Sequence, residues 1–116
     1  MLDKFMDDPV LSDKDIKILI KRRRAQMLIH SCIYYHLDDN IISDHKWQEW
    51  ADELQKLQED NPKLIKIGFY DRTFTDWTGA TGNHLPHLDP WVLSKSKYIL
   101  RIHYDRQPKS DLHPTP

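Results

Sequence analysis

Cysteine and glycine are scarce in this 116-residue chain, which has one of the first and three of the second. A single thiol, Cys32, excludes an internal disulfide and suits a reducing compartment. Its apolar neighbours mark it as an inert buried thiol rather than a nucleophile for His36 one turn on. Long apolar runs are absent, and none approaches the roughly 20 residues that cross a bilayer. The N-terminal MLDKFMDD is acidic and lacks signal-peptide form. A cytoplasmic protein with no membrane partner is therefore expected. An excess of either charge is also missing: Lys+Arg number 17 and Asp+Glu 18, a formal net charge of -1. That balance argues against nucleic acid as a partner. The histidines His30, His36, His45, His84 and His87 match no strong zinc spacing, so no metal is expected.

What the chain does contain is helical patterning. Hydrophobic residues at 39% and charged residues at 30% indicate a soluble globular protein. A single domain over residues 1–106 is expected, mainly α, with a loose lead-in before residue 12 and a disordered tail over 107–116, where three prolines fall. Ser12 and Asp15 have the form of a capping box. Ile16, Leu19, Ile20, Met27, Leu28 and Cys32 then recur at helical spacing, predicting a helix over about 13–37. Asp38-Asp39-Asn40 is a turn cluster, and Ser43 or Asp44 caps a second helix. Trp47, Trp50, Ala51, Leu54 and Leu57 make one apolar face of that helix, which Asn61-Pro62 stops. The two helices form an antiparallel hairpin.

The second half is less regular. Residues 64–70 fit a short strand or a further turn of helix equally well. Residues 73–86 hold Gly79, Gly82, four threonines and Trp77, the composition of an ordered Gly/Thr loop that packs on something. Asp89-Pro90 opens a third helix that runs from Trp91 to Tyr104. Leu28, Trp50, Leu54, Leu57 and Trp91 are the expected core.

The chemistry concentrates between His30 and Gln48, around the predicted turn of the hairpin. Tyr34 and Tyr35 offer rings for stacking, and Asp44 offers a carboxylate for hydroxyls or positive charge, with Trp47 beside it. Lys21-Arg22-Arg23-Arg24 fans over most of a helix circumference, which reads first as a solvated face. A phosphate contact from Arg22 or Arg23 is the alternative. Thr78-Gly79-Ala80-Thr81-Gly82 has the small residues that let backbone amides approach a phosphate, but not the lysine or spacing of a P-loop. Hairpin core and helix caps account for Tyr34, Tyr35, Asp44 and Trp47 as well as a ligand site does.

The hairpin resembles the N-terminal helical subdomain of bacterial NAD-dependent DNA ligases. His30, Tyr34, Tyr35, Asp38, Ile42, Asp44 and Trp47 fall in that subdomain's order and spacing, and Asn61-Pro62-Lys63-Leu64 stands where its second helix closes. The resemblance covers about a third of the chain. It implies a site for the nicotinamide mononucleotide half of NAD, with Tyr34, Tyr35 and Trp47 around the ring and Asp44 on a hydroxyl or the ring amide. Gln48 stands where the ligases have an aspartate, and Asn40 where they have a proline. The K-x-D-G motif that carries AMP is absent, which excludes ligation by this segment alone. The whole chain is also similar to a group of small phage-encoded proteins described as related to this ligase, which share the Trp77–Pro86 segment and Asp89-Pro90-Trp91.

The combined expectation is a non-enzymatic protein without a resident cofactor. It would bind nicotinamide mononucleotide, NAD or an ADP-ribose derivative through His30, Tyr34, Tyr35, Asp44 and Trp47. Arg22, Arg23, Thr78, Thr81 and Gly82 would meet phosphate. Sequestering a nucleotide signal of host anti-phage defence is the use this suggests. A protein-interaction module that inhibits a host protein, and an accessory subdomain for a ligase, stay open as alternatives. So does a homodimer.

Overall fold

The structure, a computed structural model, describes residues 11–106. The expected loose lead-in and disordered tail lie outside these residues, apart from Leu11. The fold is mainly α, as the periodicity indicates, and no strand occurs among the described residues. Helix α1 spans Asp13–Tyr35, α2 spans Asp44–Asp60 and α3 spans Pro90–Asp105. A single 3-10 turn, Pro62–Leu64, follows α2. Beyond Leu64 the ambiguous 64–70 segment is neither strand nor helix: residues 65–66 are irregular and 67–70 form bends.

Each helix begins where its local chemistry supplies a cap. Ser12 Oγ accepts from Asp15 N at 3.1 Å and Asp15 Oδ2 accepts from Ser12 N at 3.4 Å, completing the capping box. Ser43, rather than Asp44, caps α2, accepting from Lys46 N at 3.0 Å. Asp89 Oδ2 accepts from Trp91 N and Val92 N ahead of Pro90. α1 ends at Tyr35, two residues before the sequence-based limit, because the chain turns into a left-handed conformation at Asp38 (φ 55).

α1 is the central element. α2 packs on one flank and α3 on the other, and these two do not pack on each other. Ile20, Met27, Leu28 and Cys32 from α1 meet Ala51 and Leu54 from α2 and Val92 from α3. Phe74, Trp77 and Leu85 come from the long connection, so the Gly/Thr loop is packed as its composition suggests. Full burial of a side chain such as Leu54 stabilises by roughly 1.5–3 kcal/mol.

Two expectations about the interior are corrected. Trp91 is not core: it is 39% exposed, and Val92 and Ser96 point inward instead. The Asp89 cap fixes the first residues of α3 in a phase that turns Trp91 outward against the edges of Phe69 and Tyr70. Arg24 does not belong to a solvated face, because it is fully buried. It lies one turn from both Ile20 and Leu28, on the apolar stripe itself. Its guanidinium donates to Gln58 Oε1, to the carbonyls of Phe69 and Ile65, and to Asp71 Oδ1 at 2.7 Å. That network holds the 65–71 segment against the hairpin.

Candidate functional site

The turn of the hairpin and the Gly/Thr loop enclose a cleft of about 240 Å³. Its wall includes six of the sequence-predicted residues: His30, Tyr34, Tyr35, Asp44, Trp47 and Thr81. Helical geometry explains the convergence. His30 and Tyr34 are one turn apart on the last stretch of α1, and Asp44, Trp47 and Gln48 share a face of the first turn of α2. The short turn between the helices sets these two faces opposite each other, with Asn40, Ile42 and Ser43 at its base.

The loop joins this site directly. Tyr35 OH and Thr81 Oγ1 are 3.2 Å apart, and Gln48 Nε2 donates to the Gly79 carbonyl at 3.0 Å. Trp77 Nε1 donates to the Ala51 carbonyl at 3.0 Å, which anchors the loop on α2. Gly79 takes φ 75, and a Cβ there would stand 3.2 Å from the Ala51 carbonyl oxygen. Gly82 is buried where a Cβ would lie 2.8 Å from Ser31 Cβ and 3.1 Å from the Trp47 ring. This glycine therefore serves the close approach of loop to hairpin, and it does not line the cleft.

The rings differ in how committed they are. Tyr35 stacks on His87 at 5.6 Å with 7° between planes, and Tyr34 meets Tyr35 edge to face at 4.8 Å. Trp47 donates to Ser31 Oγ at 3.3 Å and abuts Trp77 at 6.3 Å. Tyr34 is the most exposed of the three, at 52%. It is the ring most available to a visiting one.

The electrostatics are one-sided. Asp44 is the cleft's only charged side chain, since no Lys or Arg lines it. Burial pushes the His30 imidazole down to about 4, so it is neutral at pH 7 and presents one donor and one acceptor. Such a lining suits a planar ring that is neutral or cationic and carries hydroxyl or amide groups.

The remaining sequence-predicted residues lie elsewhere. Arg23 pairs with Glu53 at 3.0 Å and donates to Gln26 at 2.7 Å. Arg22 is exposed on α1 and Thr78 accepts from Ala80 N within its own loop. None of these three lines the cleft. Ser31 joins the lining without having been singled out in the sequence; only its place beside His30 hints at it. Among the described residues no cluster of His, Cys, Asp or Glu could hold a metal ion, and no helix is long and apolar enough to cross a membrane. Comparison with family models, curated proteins and solved structures finds no match.

Proposed function

We propose that this cleft binds the nicotinamide or ADP-ribose part of a small nucleotide without turning it over. The observation that carries the reading is the meeting of Tyr34, Tyr35, Asp44, Trp47 and Thr81 on one concave surface. Its size narrows the ligand. Pockets for drug-sized molecules run from about 300 Å³ upward, so about 240 Å³ holds a ring and its sugar rather than a whole dinucleotide. Tyr34 and Trp47 flank the ring, Asp44 accepts from a ribose hydroxyl or ring amide, and neutral His30 supplies a further polar contact. Phosphate groups would project toward solvent, since the lining has no cation for them. Holding a nucleotide signal of host anti-phage defence out of circulation is the proposed use.

A thermal-shift panel of nicotinamide mononucleotide, NAD, ADP-ribose and its cyclic forms tests this. A ligand at a hundred times its dissociation constant stabilises by about 2.7 kcal/mol, which is a rise of several degrees here. Silence across the panel at millimolar concentration rejects the reading.

A further inference from the structure

The near-zero net charge conceals a segregation. α2 carries six carboxylates against two lysines, whereas α1 carries six cations against two carboxylates and α3 three against one. α2 and α3 do not pack on each other, so the acidic helix stands apart from the basic α3. Of the α1 cations, Arg23 pairs with Glu53 of α2 and Arg24 is buried on Asp71, which leaves Lys14, Lys17, Lys21 and Arg22 outside these pairs.

Aromatic rings are interleaved with that positive charge. Trp91 and Tyr98 are 39% and 47% exposed. They are seven residues apart on α3, so they share a face about 10 Å long. Lys95 lies between them, and Lys95 and Arg101 each sit 5.5 Å from the Tyr98 ring. The track continues off the helix. Trp91 meets Phe69 edge to face at 5.4 Å, and Lys21 Nζ stands 5.3 Å over Phe69. Beyond Lys21 a shallow groove opens, lined by Lys14, Lys17 and Lys66 over Ile18 and Ile67. No ion pair joins these three lysines to a described residue, whereas Lys46 and Lys56 on α2 are each paired at 2.9 Å.

We propose that this face binds single-stranded nucleic acid. Unpaired bases stack on Trp91 and Tyr98, while phosphates meet Lys21, Lys95, Arg101 and the groove lysines. Rings and cations alternating at intervals of one helical turn match a strand in which base and phosphate repeat. A duplex keeps its bases stacked inside and offers nothing to Tyr98. The groove end lies about 25 Å along α1 from Tyr34, so the proposal is independent of the nucleotide cleft.

Fluorescence anisotropy of the full chain with a labelled 20-nucleotide oligothymidine tests it. The dissociation constant is expected in the micromolar range at 50 mM salt. It should weaken roughly 50-fold at 200 mM if four phosphates are neutralised. Tyr98→Ala, at an exposed position, should weaken binding five-fold or more with an unchanged melting temperature. Lys17→Gln with Lys21→Gln should flatten the salt dependence. No anisotropy change at 100 µM protein and 50 mM salt overturns the proposal. So does equal affinity for a duplex of the same length, or binding that Tyr98→Ala leaves intact.

Discussion

Arg24 and Asp71, 47 residues apart in sequence, meet at 2.7 Å with the arginine fully buried. Burial alone would raise the Asp71 carboxyl. The Arg24 guanidinium and the amides of Gly68, Ile67 and Phe69 outweigh that and hold it at about 2. Asp71→Ala leaves a buried cation with only neutral acceptors. The expected cost is about 3 kcal/mol, a fall of 10 °C or more in melting temperature. Because the Asp71 pKa is depressed, its contribution is complete above the unfolded value near 4. It is lost only as pH falls toward 2. Thermal melts of wild type and Asp71→Ala at pH 7 and pH 3 check both statements.

His30 makes the protein acid-sensitive in a different window. Its pKa falls from 6.5 to about 4 on burial. A lowered histidine pKa contributes stability that is complete above pH 6.5 and disappears as pH drops through about 4. Between pH 7.5 and pH 5 the loss should be on the order of 2 kcal/mol. Urea unfolding of wild type and His30→Phe at the two pH values checks this. The difference between pH values should shrink by that amount in the variant.

Gly82 and Gly68 should respond differently to alanine. At Gly82 the added methyl meets Ser31 and Trp47, which belong to packed helices that cannot retreat. Gly82→Ala should cost more than 2 kcal/mol through overpacking. Gly68 has open space around it but φ 75, so Gly68→Ala should cost about 1 kcal/mol of backbone strain. Chemical denaturation of both variants ranks them.

These contrasts show which parts of the molecule are legible in its sequence. Ser12, Ser43 and Asp89 announce helix starts because each cap bonds residues only two or three positions away. The hairpin half of the cleft is legible for a similar reason: His30 to Gln48 is one local turn. Trp91 misleads because hydrophobicity signals burial, whereas the Asp89 cap sets the helical phase. Arg24 misleads because the partners that justify its burial, Ile65, Phe69 and Asp71, are more than 40 residues away. Its position on the Ile20–Leu28 stripe was the available clue. The Gly82 role is hidden likewise, since its constraint comes from Ser31 and Trp47 rather than from its neighbours.

Asp44 offers a substitution that separates binding from folding. Ser43 supplies the α2 cap, so Asp44→Ala removes only a favourable charge at the helix N-terminus. The stability cost should be about 0.3–1 kcal/mol, visible as a small fall in melting temperature.

Calorimetric titration of nicotinamide mononucleotide into wild type, Asp44→Ala and Arg22→Gln is the most direct measurement. Wild type and Arg22→Gln are expected to bind with equal affinity, because Arg22 lies outside the cleft, and Asp44→Ala to lose at least ten-fold. Equal binding by all three proteins, or no heat with any of them at millimolar ligand, would contradict the assignment of this cleft.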